Sequence, residues 1–181
     1  MARTALLSYS DLERIPEDGL RRELIGGELF VSPSPVPSHQ DIVAAIFVAF
    51  RSHARLHGDR AFVGPIDLLF GPHDVTAPDV VYVASDRLSL IGEKNIPGAP
   101  SIVVEVLSPS TSRIDRVHKR ALYAESGVPE YWIVSGKTRS IEQCSDPHGD
   151  KYRNIQALAG DAAIRSTEVP GLEISLSAIF E

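Results

Sequence analysis

The chain has 181 residues, 43% of them hydrophobic and 23% charged, with a formal net charge of −6. That profile fits one globular domain with a sizeable core. The acidic balance excludes a surface that binds nucleic acid everywhere, because phosphate contacts need clustered Lys and Arg, while leaving room for a local basic groove. Cys144 is the single cysteine, which excludes an intrachain disulfide and a multi-cysteine metal site.

The N-terminal stretch MARTALLSYSDLERI turns acidic after a very short apolar patch, unlike a signal peptide. The most apolar run, Ile42 to Phe50, is far shorter than the ~20 residues that span a bilayer. A cytoplasmic protein without membrane contact is expected.

In chain order, Ser10-Asp11-Leu12-Glu13 reads as a capping box opening a short helix that Pro16 closes. Glu23-Leu24-Ile25, Gly26-Gly27 and Glu28 to Val31 read as a hairpin, because the glycines supply positive φ; Pro33, Pro35 and Pro37 then stop the pairing. A long helix follows, with Ser38 as possible N-cap, apolar residues at 42, 45, 46, 49 and 50, and Gly58 as its stop. Strands are predicted at 60–63, 66–70, 80–83 and 102–107, with 85–100 a loop of little regular structure. A second helix runs from a cap at Ser110 or Thr111 to Gly127. Strands 130–135 and 140–144 pair around Gly136, and further strands lie near 151–155, 162–166 and 172–174. Helices and strands alternate early and strands dominate late, which predicts a single α/β or α+β domain over 1–181 with a mixed sheet.

Two residues break this pattern. Asp79 stands between Pro78 and the run Val80 to Val83, and Glu105 interrupts the apolar run Ile102 to Leu107. An ionised carboxylate in an apolar strand is costly unless it is paired or bound to a cation. If the strands are neighbours, two hard oxygen ligands meet, a pattern that suits Mg²⁺ or Mn²⁺. Taken singly, each is more simply a turn aspartate and a glutamate paired to Arg or Lys; the pair shifts the reading towards a site.

On the second helix Asp115, Lys119 and Tyr123 form an i, i+4, i+8 stripe opposite Ile114, Val117, Ala121 and Ala124. Helical geometry alone favours a solvated face, in a segment that is locally basic. Glu23 by itself reads as an exposed hairpin residue. His39 and Gln40 open the long helix, where donors can meet an anion, although polar residues there are common. His53 and His57 lack an HExxH glutamate and read as surface residues. The chain has no P-loop, no GxGxxG after a strand and no GxSxG elbow.

RRELIGGELFVSPSPVPSHQ, APDVVYV and IVVEVLSPSTSRIDRVHKRALYAESGVPEYWIV together resemble the Uma-type restriction endonucleases, a branch of the PD-(D/E)XK nuclease superfamily. The resemblance runs from about Tyr9 to the C-terminus. It implies a restriction endonuclease-like fold, a mixed central β-sheet flanked by helices. It implies that Asp79 is the PD aspartate and Glu105 the (D/E) carboxylate. Leu107 stands where the ExK lysine belongs, which makes Lys119 on the following helix the natural substitute. Glu23 matches the N-terminal acidic position, an additional metal ligand.

The function so implied is DNA phosphodiester hydrolysis with Mg²⁺, or Mn²⁺ as substitute. Asp79, Glu105 and Glu23 would hold the metal, Lys119 would stabilise charge, and His39, Gln40 and Tyr123 would position the phosphate. A homodimer suits the cutting of both strands. Two alternatives stay open: a non-catalytic nucleic-acid- or protein-binding module on the same fold, and purely structural carboxylates in an oligomeric scaffold.

Overall fold

The structure, a computed structural model, describes residues 6–16, 18–109 and 112–181. Its strands, in chain order, are β1 (Arg21–Ile25), β2 (Glu28–Ser32), β3 (Arg60–Val63), β4 (Leu68–Gly71), β5 (Asp74–Thr76), β6 (Val80–Val83), β7 (Ile96–Pro97), β8 (Ile102–Val106), β9 (Glu130–Ser135), β10 (Ser140–His148), β11 (Lys151–Ala159), β12 (Ala163–Arg165) and β13 (Glu173–Ser175). The helices are α1 (Tyr9–Leu12), α2 (Pro37–His57), α3 (Arg120–Glu125, entered through a π-helical segment Ile114–Lys119) and α4 (Leu176–Ile179).

The central sheet has the order β11-β10-β9-β8-β6-β3. It is mixed, because β8 and β9 run parallel while the other pairs are antiparallel. A five-stranded sheet ordered β2-β1-β5-β4-β7 lies beside it. The link between the two sheets is the short segment Ala77-Pro78-Asp79, between the end of β5 and the start of β6.

Alternation along the central strands divides the core between two faces. Val80 and Tyr82 of β6 and Ile102, Val104 and Val106 of β8 pack with the buried stripe Ile42, Ile46 and Phe50 of α2. Val81, Val83 and Val103 point to the opposite face, with Tyr123, Tyr131 and Ile133. Glu105, two residues after Val103, therefore belongs to the face covered by α3. The same period carries β8 as an all-buried strand.

Several boundaries differ from the sequence reading. The capping box of α1 is built on Ser8, whose N–H and hydroxyl both donate to Asp11. Helix α2 is capped at Val36 rather than at Ser38, and Pro37 is its first residue, because proline's fixed φ suits the first helical position and its missing N–H costs nothing there. Gly58 ends the helix at φ 78°, a left-handed conformation that glycine adopts freely. The predicted caps Ser110 and Thr111 lie outside the described residues. Two short strands, β5 and β7, and a 3₁₀ turn at Ser85–Leu90 stand where the sequence showed only connecting segments. Strands of two or three residues are too short to establish a period.

Candidate carboxylate and lysine site

Register explains why Asp79 and Glu105 meet. Strands β6 and β8 pair antiparallel, with Val80 opposite Val104, so the next step along the ladder sets Asp79 against Glu105. Asp79 is anchored there. Its Oδ2 accepts the Val106 N–H at 2.8 Å, and its Oδ1 accepts from Arg21 Nη1 at 2.9 Å.

The π-helical segment before α3 turns its polar stripe inward. Asp115 and Lys119 are 1% and 0% exposed, whereas Val117 is 53% exposed. The expectation of a solvated Asp115–Lys119–Tyr123 face is therefore corrected. The polar stripe packs onto the sheet, where it meets Glu105 and Glu23 and completes a buried charge cluster. Lys119 Nζ lies 2.8 Å from Glu105 Oε1, 2.8 Å from Glu23 Oε1 and 3.4 Å from Asp115 Oδ1.

Glu23 is likewise buried rather than an exposed hairpin residue. Its Oε1 also accepts the Ala77 N–H at 2.8 Å, which ties β1 to the Ala77–Asp79 corner. The Tyr123 hydroxyl is 3.0 Å from Glu105 Oε1 and 3.1 Å from Thr76 Oγ1. Tyr123 thus sits behind the carboxylates, fully buried, and orients Glu105. His39 Nε2 is 3.0 Å from the Val106 carbonyl oxygen and 3.3 Å from Asp79 Oδ2. Because a carbonyl only accepts, Nε2 carries the hydrogen. Gln40 is exposed on the cleft wall beside it.

The cluster opens on one side. A cleft of about 1150 Å³ is lined by Arg21, Ser38, His39, Gln40, Asp79 and Lys137 among others. Asp79 thus stands at the mouth, with Glu23, Glu105, Lys119 and Tyr123 behind it. Two further residues, Asp115 and Arg21, complete the arrangement. Helical spacing places Asp115 on a solvated stripe, and nothing in the sequence singles out Arg21.

Charge sets the behaviour of the cluster. Four carboxylates (Glu23, Asp79, Glu105 and Asp115) surround two permanent cations, Lys119 and Arg21. Burial opposes the charge of Lys119, but Glu105, then Glu23 and Asp115, outweigh it and hold the ammonium above its usual range. Arg21 is raised in the same way, with Glu105, Glu23 and Asp79 overcoming burial. Burial also opposes ionisation of Glu23 and Asp79. Lys119 and Arg21 nevertheless lower Glu23, and the hydrogen bond from His39, followed by the Arg21 charge, lowers Asp79. Glu105 goes the other way. Its burial outweighs Lys119, and with Asp115 and Asp79 nearby it is pushed up to about 8.

Glu105 Oε2 has no hydrogen-bond partner among the described residues; Arg21 Nη2, at 3.9 Å, is too far for a hydrogen bond. A surplus of hard, buried oxygen donors with one oxygen unsatisfied fits a divalent cation in chemical kind. As they stand, the donors are spaced apart by Lys119 and Arg21. Among the described residues no three His, Cys, Asp or Glu side chains gather as a metal site.

Comparison with known proteins bears on the family and the fold. The family model described as "Uma2: Putative restriction endonuclease" matches residues 9–177. The crystal structure of a protein described as a "putative nuclease belonging to DUF820", from Anabaena variabilis ATCC 29413, matches with a TM-score of 0.80. The two are 20% identical, and the match covers 96% of this chain and 97% of that one. No curated protein matches. Among the described residues no helix is long and apolar enough to cross a membrane.

Proposed function

We propose a function that starts from one fact: the chain belongs to the Uma2 family of restriction endonucleases. It is a metal-dependent phosphodiesterase acting on DNA, with Asp79 and Glu105, helped by Glu23, as the residues that hold Mg²⁺ or its substitute Mn²⁺. The observation that carries this reading is the placement of Lys119 Nζ at 2.8 Å from both Glu105 and Glu23, next to the cleft-facing Asp79. A carboxylate pair with an adjacent lysine is the working set of the resemblance, assembled from three separate elements.

When bound, the divalent cation supplies Lewis-acid charge to the phosphate and activates water. The protein's own groups do the rest. Asp79, fixed by the Val106 N–H, presents its carboxylate at the mouth of the cleft. Tyr123 holds the rotamer of Glu105. Lys119 keeps a fixed positive charge next to the carboxylates, where it stabilises negative charge that develops on the phosphate without any reorganisation. His39 and Gln40, at the start of the 21-residue helix α2, meet the phosphate backbone where the N-terminal helix dipole favours an anion. Two copies related by a two-fold axis would serve both strands of a duplex.

The test is plasmid DNA incubated with Mg²⁺ or Mn²⁺ and either wild type or Asp79→Asn. Cleavage by wild type that is lost in the variant supports the reading, and equal cleavage by both overturns it. DNA binding without cleavage under any divalent cation would favour the alternative, a binding module on a nuclease fold.

A further inference from the structure

We propose that Arg21 is a resident counter-ion that competes with the divalent cation for Asp79 and Glu105, and withdraws into the cleft when the metal binds. This rests on the metal-site reading above and adds to it the residue that controls occupancy.

Three observations carry it. The first is position. The Arg21 guanidinium spans the gap between the two proposed ligands, with Nη1 at 2.9 Å from Asp79 Oδ1 and Nη2 at 3.9 Å from Glu105 Oε2. A cation bridging these carboxylates would occupy the same gap.

The second is incompleteness. Arg21 Nη1 makes proper hydrogen bonds to Asp79 Oδ1 and to the Ala77 carbonyl oxygen at 3.1 Å. Its attraction to Glu105 is only Coulombic at that distance, and Glu105 Oε2 has no hydrogen-bond partner among the described residues. Arg21 neutralises the pair without satisfying it. A small hard cation can approach both carboxylates closely, whereas a planar guanidinium reaching from β1 bonds only one of them.

The third is a way out. The Lys119 side chain is 1% exposed and enclosed by Glu23, Glu105 and Asp115. The Arg21 side chain is 22% exposed and lines the cleft. Of the two cations, only Arg21 can leave without opening the core.

The test measures Mn²⁺ binding to the whole chain, without DNA, by isothermal titration and by electron paramagnetic resonance of free Mn²⁺. Arg21→Gln removes the competing charge. Its Mn²⁺ affinity should rise about tenfold or more, since hydrogen bonds to charged groups are the strong class. Arg21→Lys keeps the charge but loses the planar fork that bonds Asp79 while facing Glu105, so its affinity should fall between wild type and Arg21→Gln. If Arg21→Gln fails to fold, the rise in Arg21→Lys over wild type decides the matter. Unchanged or weaker Mn²⁺ binding in the folded variants overturns the proposal while leaving the metal site intact, provided wild type binds and Asp79→Asn does not. Absence of Mn²⁺ binding in every variant overturns both.

Discussion

Lys119 Nζ lies 2.8 Å from Glu105 Oε1, although Lys119 stands fourteen positions after Glu105 in the chain. The contact is made in the core rather than on a surface, so it is a requirement for folding as well as a candidate element of chemistry. Removing the ammonium leaves Glu105, Glu23 and Asp115 facing one another in a buried site. Lys119→Met is therefore expected to lower unfolding free energy by about 3–5 kcal/mol, as loss of one partner of a buried pair does. Adding Glu105→Gln to Lys119→Met should recover part of that loss in urea denaturation and recover no DNA cleavage. Recovery of cleavage in the double variant would remove both residues from the chemistry.

The same contact shows what could be read in the sequence and what could not. Asp79 was legible as a charge abutting the start of an apolar strand and Glu105 as a charge inside one, and strand register did the rest. The hairpin and the long helix were legible from Gly26-Gly27 and from the spacing of Ile42, Ile46 and Phe50. The inward face of the Asp115–Lys119–Tyr123 stripe was not, since periodicity alone assigns Ile114, Val117, Ala121 and Ala124 to the core. A helix that buries a lysine among carboxylates reverses that rule, and the rule has no term for a partner supplied by a distant strand. Arg21 was missed for a related reason. Its role depends on the corner between two sheets, which β5 sets up with only three residues.

Tyr123→Phe separates orientation from substrate contact. The ring is buried against Phe70 and Tyr131, and its hydroxyl touches only groups within the cluster. Phenylalanine keeps the packing and removes those two bonds, so stability should fall by about 1–2 kcal/mol. If Tyr123 acts by holding Glu105, kcat falls while KM for DNA stays near wild type. A rise in KM at constant kcat would instead place the hydroxyl on the substrate.

Gly64 fixes the approach of the Asp79 corner. Its N–H donates to the Asp79 carbonyl oxygen at 2.8 Å, and a Cβ at this position would lie 2.3 Å from the Pro78 carbonyl oxygen. That is backbone against side chain, so no rotamer change relieves it. Gly64→Ala is expected to cost about 1–3 kcal/mol, as overpacking does, and to shift Pro78 and Asp79. Thermal unfolding reads the first effect. Mn²⁺ affinity reads the second, and should weaken even in the folded fraction.

Far from the carboxylate cluster, His53 gives the fold a pH dependence of definite sign. Its Nδ1 lies 2.8 Å from the Tyr82 hydroxyl, which in turn donates to Asp59 Oδ2 at 2.5 Å. Since the tyrosine proton is committed to Asp59, His53 must donate through Nδ1–H. Burial, and then the neighbouring His57, hold the His53 pKa below its ordinary value of 6.5; the Pro170 backbone, and after it Asp59, pull the other way. Between the folded and unfolded values the unfolded chain binds more protons, so stability rises with pH through that window and is lost as pH falls below 6.5. Proton NMR of the imidazole should give a His53 midpoint below 6.5. The stability advantage of wild type over His53→Asn should shrink as pH is lowered from 7 to about 5. A midpoint above 6.5, or an advantage that grows on acidification, would mean that the Pro170 backbone and the Asp59 charge, and not burial, govern this end of α2.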